Sequence, residues 1–469
     1  MSDWQKGSEL SLLITDLNNL GCGVGRAPDG RAVFVAGAVA GDTVRAQIIK
    51  VNKTYLVARL LAVLSPSPDR EDGFCEAPAS CGGCVYRNLT YEKELALKRS
   101  FVEYAFRKAQ LADVEIAPVR HTGAVRGYRN KAEYPITGGK NGLFGGFYAQ
   151  KTHHVVPADC CALQPAMFGQ ILRFFCEFYT EKGVAAYDEE SGKGLLRHLY
   201  LREGKNTGEL MVCPVLNGRE LPHAMEFVGK LIQKFPQVTS VVVNENTKRT
   251  NVVLGEKYHT LYGNPYIEDV LCGKRFRVMP ASFYQVNHDA AELLYGIAAE
   301  QTGLSGKGLL LDLYCGAGTI GLSMAERVGE LIGIEIVPDA IKCANVNKSL
   351  NGVKNAHFYC GDAANAKGLL APVEAQRGTL HPDVVILDPP RKGCDAALLH
   401  FLAAREVPRI VYVSCGPDSL ARDCAILREL GYDIGTVTPV DLFPRTGHVE
   451  SVVCLTKITH RKKQQHETN

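Results

Sequence analysis

"GLLLDLYCGAGTIGLSMAER" (308–327) decides the fold. An apolar run ends in Asp and Tyr, glycines at 316, 318 and 321 make a turn, and the spacing that follows is helical. The next segment, "LIGIEIVPDAIKCANVNKSL" (331–350), repeats the pattern: strand, acidic end, helix. "DVVILDPP" (383–390) and "RIVYVSC" (409–415) are further apolar strands ending in polar residues. Strands alternating with helices predict a doubly wound, mostly parallel sheet from about residue 283 onward.

The rest of the chain reads differently. Residues 8–64 contain short strands, "LSLLITDL", "RAVFVAG", "DTVRAQIIKV" and "YLVARLLAVL", separated by turns read at "GCGVG" and "PDGR". That spacing predicts a small barrel. "SPSPDREDG" (65–73) reads as a linker, and 91–111 as a helix. Residues 126–280 are strand-rich, through "YRNKAEYPI", "LFGGFYA", "HHVVPA", "LRHLYLRE", "ELMVCPVL", "SVVVNEN" and "NVVLG", and predict an α+β platform. The tail "THRKKQQHETN" (459–469) is polar and predicted disordered.

At 469 residues the chain is too long for one ordinary core. A hydrophobic fraction of 46% and a charged fraction of 22% fit a globular protein. The net charge of +3 announces no nucleic-acid partner by itself, so any basic surface is local. "MSDWQKGSEL" lacks the apolar core of a signal peptide, and no apolar run is long enough to span a bilayer. The expected compartment is the cytoplasm, where thiols stay reduced, so the 16 cysteines do not predict a disulfide framework.

The glycine turn and Glu335, at the end of the next strand, suit a nucleotide whose ribose hydroxyls donate to an acid. Gly316, Gly318 and Gly321 satisfy G-x-G-x-x-G, so a dinucleotide is open. "D-x-x-C-G-x-G" followed by a strand ending in "DPP" favours S-adenosylmethionine. In such a sheet Asp312, Tyr314, Glu335, Asp362 and Asp388 all fall at the strands' carboxyl ends.

Cys415 ends a strand at that same edge, before a Gly-Pro turn and a helix whose N-terminus can lower a thiol pKa. A small core cysteine is the plain alternative. Glu450, in "LFPRTGHVESVV" (442–453), precedes another apolar strand. A thiolate and a carboxylate together solve one chemical problem. Uracil C5 is a poor nucleophile until a thiolate adds at C6; after C5 takes a methyl group, a base must remove its proton before the thiolate leaves. A dinucleotide enzyme needs neither group. Separately, "CEAPASCGGC" (75–84) places Cys75, Cys81 and Cys84 at C-x5-C-x2-C, and Cys160 or Cys161 of "PADCCALQP" offers a fourth thiol. Spacing alone leaves zinc and [4Fe–4S] open.

Together these motifs resemble the iron–sulfur, TRAM-domain RNA (uracil-C5)-methyltransferases, which include 23S ribosomal RNA enzymes. "DLNNLGCGVGRAPDGRAVFVAGAVAGDTVRAQI" (16–48) resembles the TRAM domain, an OB-like RNA-binding β-barrel, and "CEAPASCGGC" the cluster loop. "YRNKAEYPI" resembles the central-domain signature, while "PASFYQVN", "DLYCGAGTIG", "DPPRKG", "VSCGPDSLARD" and "FPRTGHVE" follow the catalytic set in order. The resemblance implies a TRAM barrel over 1–64, a central α+β iron–sulfur domain over 65–280, and an α/β Rossmann-like class I methyltransferase domain over 281–460, with a disordered tail at 461–469. It implies Cys415 as nucleophile and Glu450 as base, with Gln285, Tyr314, Thr319, Glu335, Asp362 and Asp388 around S-adenosylmethionine. It implies Cys75, Cys81, Cys84 and Cys161 as [4Fe–4S] ligands, Cys161 being preferred because "CALQ" follows the family's fourth cysteine.

RNA is the expected partner, 23S ribosomal RNA ahead of transfer RNA by resemblance; DNA, a membrane and an obligate protein partner are not expected. "VRGYRNKAEY" (125–134) interleaves Arg126, Arg129 and Lys131 with Tyr128 and Tyr134, a mix that can hold phosphates and stack bases. The rival of another class is a non-catalytic RNA-binding iron–sulfur protein, which predicts no S-adenosylmethionine binding.

Overall fold

The computed structural model describes residues 4–458, so the tail expected at 461–469 lies outside the described residues. Strands β1 (Glu9–Leu17), β2 (Cys22–Arg26), β3 (Ala32–Ala36), β4 (Thr43–Val51) and β5 (Tyr55–Ser65) close a barrel in the order β1-β2-β3-β5-β4. Period-two alternation turns Leu10, Leu12, Ile14, Val33, Val35 and Val44 into its core. The glycines read as a turn at 21–25 mostly form β2 instead. A Cβ on Gly23 would stand 2.8 Å from Ile14 Cγ2, and one on Gly25 would stand 2.6 Å from the Leu13 carbonyl oxygen. Those glycines permit close strand packing rather than a reversal.

The 65–73 segment is not a loose spacer. Buried Asp42 accepts from Ser67 N at 2.9 Å and from Arg70 Nη2 at 2.5 Å, which ties the segment back to the barrel. After α1 (Tyr91–Lys108) come β6 (Lys131–Gly139), β7 (Gly142–Tyr148), β8 (Val155–Pro157), α2 (Ala166–Glu181), β9 (Leu196–Glu203), β10 (Leu210–Leu216), α3 (Ala224–Lys234), β11 (Val238–Glu245) and β12 (Lys257–Gly263). They build a seven-stranded sheet, β12-β11-β10-β9-β6-β7-β8, onto which α2 and α3 pack Phe168, Phe175 and Phe227. "NVVLG" (251–255) is a loop, contrary to its apolar reading. Asn246 Nδ2 donates to the Val252 and Val253 carbonyls at 2.7 and 2.9 Å, capturing acceptors a strand would use. A hairpin follows, β13 (Ile267–Leu271) and β14 (Lys274–Val278).

The C-terminal part runs α4 (His288–Thr302), β15 (Leu309–Leu313), α5 (Thr319–Ser323), β16 (Glu330–Glu335), α6 (Pro338–Leu350), β17 (Ala356–Cys360), α7 (Ala366–Arg377) and β18 (Val384–Leu387). It continues with α8 (Ala396–Ala404), β19 (Arg409–Ser414), α9 (Pro417–Glu429), β20 (Tyr432–Ile434), β21 (Thr438–Val440) and β22 (Glu450–Lys457). The sheet order is β17-β16-β15-β18-β19-β22-β20, with β21 paired to β22. β15 to β19 pair in parallel, as the alternating pattern predicts, and β22 is antiparallel. One face packs against Val102, Ala105 and Phe106 of α1. The other shares a core with α4 and with Tyr200, Met211 and Cys213 of the central sheet. Among the described residues no helix is long and apolar enough to cross a membrane.

All three parts meet on residues 441–448, just before β22. Lys98 of α1 donates to Glu94 Oε1 and Asp441 Oδ1, both at 2.7 Å, and to the Phe443 carbonyl at 3.1 Å. Lys98, Glu94 and Asp441 side chains are all fully buried, so each charge depends on its partners. Tyr128 Oη donates to the Pro444 carbonyl at 2.8 Å. Buried Arg445 donates to the Leu89 carbonyl and, at 2.9 Å, to Glu71 Oε2, while its guanidinium lies 4.3 Å from the Phe74 ring centroid. From the barrel, the Asn19 carbonyl comes so close to Gly447 that a Cβ there would stand 1.9 Å away.

Candidate active site

The carboxyl ends of β15, β16, β18 and β19 form one edge, as the parallel sheet requires. After β15, Tyr314 (φ 70°), Gly316 (φ 55°) and Gly318 (φ 79°) all take left-handed conformations and roll the chain into α5. For Tyr314 this is a strained backbone, held by the turn on either side. α5 has only five residues, so its dipole is a smaller feature than the sequence implied. Buried Asp312 braces the turn by accepting from Gly321 N at 3.1 Å. Its other oxygen has no protein partner. Burial first, then nearby Asp388, push its carboxyl up to about 8.

Glu335 closes the turn from β16: Oε2 accepts from Gly316 N at 3.2 Å and Oε1 from Val337 N at 2.9 Å. Beside it Ile336 and Val337 are 59% and 50% exposed, a bare apolar shelf at a polar edge. Thr319 Oγ1 lies 3.3 Å from Tyr295 Oη, and Asp362 is exposed just beyond β17. Gln285 is buried; Asn130 Nδ2 donates to its carbonyl at 3.0 Å, and Asn287 Nδ2 staples the same segment to the Leu442 carbonyl at 3.1 Å. Tyr314, Thr319, Glu335, Asp362 and Asp388 thus gather at the sheet edge, and Gln285 sits on a segment fixed against it.

Cys415 directly follows β19, and Glu450 is the first residue of β22. Ser414 pairs with Ser451 in the antiparallel register, so one further step sets Cys415 opposite Glu450. Asp388 ends the neighbouring strand β18. Glu450 is 5% exposed; burial, and then Asp388, push it up to about 8, while Arg391 opposes the shift. Burial alone pushes Asp388 up to about 7. Cys415 is half-buried, and its thiol is moved above the ordinary value by burial, Glu450 and Asp388, in that order. The sequence pointed to a depressed thiol at a helix N-terminus. The helix is there, as α9, yet burial first and then the two carboxyl groups move the thiol upward.

Arg422 and Asp423 of α9 clamp the 389–394 loop. Asp423 Oδ2 accepts from Cys394 N at 2.8 Å and from Tyr412 Oη at 2.6 Å, and Arg422 Nη2 donates to the Lys392 carbonyl at 2.9 Å. Arg391 and His448, 57 residues apart, meet at 3.4 Å.

Cys75, Cys81, Cys84 and Cys161 line one cavity of about 240 Å³, together with Arg87 and Arg129. Arg87 Nη2 shapes the loop by donating to the Cys75 and Ala77 carbonyls at 2.7 and 2.9 Å. Burial and then the other three thiols push Cys84 up to about 12. Cys161 lines the cavity, whereas Cys160 is exposed. Among the described residues no group of three or more His, Cys, Asp or Glu side chains is gathered closely enough to hold a single metal ion. The thiols surround a space rather than a point. The expectation that Tyr128 and Tyr134 stack bases fails, because they are only 8% and 0% exposed and belong to apolar clusters. Arg126 stays exposed, 4.5 Å from the Phe74 centroid, and Lys131 pairs with Glu133 at 2.9 Å.

Comparison with known proteins agrees with this architecture. A family model described as tRNA (Uracil-5-)-methyltransferase matches residues 90–458, and a TRAM domain model matches residues 3–61. An uncharacterized RNA methyltransferase of Halalkalibacterium halodurans is 39% identical over 451 residues, covering 96% of this chain and 97% of that protein. One from Clostridium acetobutylicum is 36% identical over 459 residues, covering 97% and 98%. The crystal structure of Pyrococcus abyssi tRNA (uracil-54, C5)-methyltransferase, in complex with S-adenosyl-L-homocysteine, superposes with a TM-score of 0.77. It is 26% identical and is covered completely, against 95% of this chain. With matches of this extent, the chain belongs to the RNA uracil-5-methyltransferase family and carries that family's fold behind an N-terminal TRAM domain.

Proposed function

We propose that the protein methylates C5 of a uridine in RNA, using S-adenosylmethionine as methyl donor, and that the RNA is 23S ribosomal RNA. The observation that carries the chemistry is that Cys415, just past β19, and Glu450, the first residue of the paired strand β22, come together at the edge that also holds the glycine turn. A pyrimidine presented there has a thiol on one side and a carboxyl that can take a proton on the other. Cys415 as thiolate forms a bond to C6, and the electron pair moves toward C5 and O4. S-adenosylmethionine supplies an electrophilic methyl group, which C5 takes as the sulfonium S–CH3 bond breaks and S-adenosylhomocysteine leaves. Glu450, as carboxylate, removes the C5 proton; the electron pair re-forms the C5–C6 double bond and expels Cys415. The product is 5-methyluridine and the thiolate is regenerated. Because C6 is hidden in a stacked helix, the uridine must be flipped out or lie in an open loop.

The residues assigned to the donor are Gln285, Tyr314, Thr319, Glu335, Asp362 and Asp388. Glu335 and the bare Ile336–Val337 shelf suit a ribose and an adenine face, and the surrounding carboxylates suit a cationic donor. Cys75, Cys81, Cys84 and Cys161 are assigned to a [4Fe–4S] cluster. The all-thiol donor set and a cavity of about 240 Å³ support a group larger than one ion. The cluster's role is structural or in RNA binding, since the reaction involves no electron change. Reduced thiols of this kind fit the cytoplasm.

Transfer RNA is the second reading, favoured by the Pyrococcus abyssi protein named above. The deciding experiment is transfer of labelled methyl to unmodified 23S ribosomal RNA and, separately, to transfer RNA, followed by nucleoside digestion. 5-Methyluridine in ribosomal RNA alone is the expected result. The same nucleoside in transfer RNA alone overturns the substrate but keeps the chemistry. Label in neither returns the protein to a binding role.

A further inference from the structure

Cys415 sits in an unfavourable place for a nucleophile. Glu450 faces it from β22 and Asp388 from the end of β18, and a thiolate there has two carboxyl neighbours. Arg391, on the loop after β18, opposes them with a positive charge that favours the thiolate. Its backbone is fixed directly over the turn that follows Cys415. Ser419 Oγ donates to the Arg391 carbonyl at 2.9 Å, and a Cβ on Gly416 would stand 3.1 Å from that carbonyl oxygen.

The side chain is aimed as well as anchored. Arg391 Nη2 lies 3.4 Å from His448 Nε2. A guanidinium has donors only, so a hydrogen bond here is accepted by the lone pair of His448 Nε2. Burial first, and then the charges of Arg391, Lys98 and Arg129, disfavour protonation of the ring, which keeps the acceptor available. His448 itself stands two residues before Glu450, so the aim of Arg391 is tied to the strand that carries the proposed base. The nearby acid of α9, Asp418, is paired away with Lys108 at 3.3 Å.

We propose that Arg391 is the charge partner that favours the thiolate form of Cys415 against burial and the two carboxyl groups, and that His448 is a positioning residue that aims it. The proposal rests on Cys415 being the nucleophile of the methylation reading. The attacking species is the thiolate, so its population sets the rate of the first bond to C6. An opposite charge close by moves a thiol by about one unit or more, which corresponds to about tenfold in thiolate at neutral pH.

The test is alkylation of Cys415 by iodoacetamide, read peptide by peptide in the intact chain across pH 6 to 10. Arg391→Gln should move the midpoint upward by about one unit and slow alkylation about tenfold at neutral pH. Arg391→Lys should restore most of the rate, because it returns the charge. His448→Ala should give a smaller upward shift. An unchanged midpoint in Arg391→Gln, with thermal melting confirming a folded protein, overturns the proposal. Covalent capture of RNA carrying 5-fluorouridine separates the two ideas. If the wild-type thiol shows the expected alkylation profile but captures no RNA, the methylation reading fails while Arg391 keeps its hold on the thiolate.

Discussion

Replacing Glu450 by Gln should stabilise the protein, and the gain should grow with pH. Glu450 is 5% exposed and its carboxyl is raised from 4.5 to about 8, chiefly by burial. An acid raised in this way binds more protons folded than unfolded. Its contribution is therefore most favourable below 4.5 and is lost as pH rises to about 8. Each unit corresponds to about 1.4 kcal/mol, so the cost relative to a non-titrating Gln is below about 1 kcal/mol at pH 5 and about 3 kcal/mol at pH 7. It levels off near 5 kcal/mol, as an order of magnitude, above about pH 8. The assay is thermal melting of both proteins, free of donor and RNA, from pH 5 to 8.5. At about 1 °C per kcal/mol for a chain of this length, the melting temperatures should separate by about 3 °C at pH 7 and nearly coincide at pH 5. A gap that stays constant, or closes as pH rises, would refute the raised carboxyl assigned to Glu450.

The same variant should transfer methyl groups but fail to release product, so covalent protein–RNA complex accumulates on denaturing gels. Cys415→Ala should bind RNA and donor yet form no such complex. Asp441→Asn should destabilise the chain by about 3–5 kcal/mol in denaturant melts, because Lys98, fully buried, loses one of its two carboxylates. Cys84→Ser should lower iron and sulfide content and the visible absorbance of anaerobically purified protein; unchanged content would remove the cluster assignment.

The C-terminal sheet was legible because its signals are local. Leu309–Leu313, the glycine turn and Thr319 lie within a few residues, and the edge that collects Asp388, Cys415 and Glu450 follows from parallel strands. What escaped was decided across long distances or by side-chain competition. Gly23 and Gly25 read as a turn, yet their lack of a Cβ serves the barrel interior. "NVVLG" has strand composition, but the Asn244 and Asn246 amides occupy its backbone groups. Tyr128 and Tyr134 alternate with cations as an RNA-binding surface would, and only tertiary packing buries them. Arg391 and His448 share no periodicity, so their meeting had no signature in the chain.

The junction at 441–448 bears on how the molecule comes into being. Its bonds close enormous loops: Lys98 to Asp441 spans 343 residues, Tyr128 to Pro444 spans 316, and Arg445 to Leu89 spans 356. Contacts of such separation form late, after the local elements on each side have consolidated. A nascent chain can complete its barrel and central sheet while the segment that carries Glu450 is still being synthesised. The proposed base reaches its station only when the last residues lock the first ones in place. Competence for the second half of the reaction is thereby a report that assembly has finished, and a half-built chain that exposes Cys415 lacks the partner needed to let a substrate go.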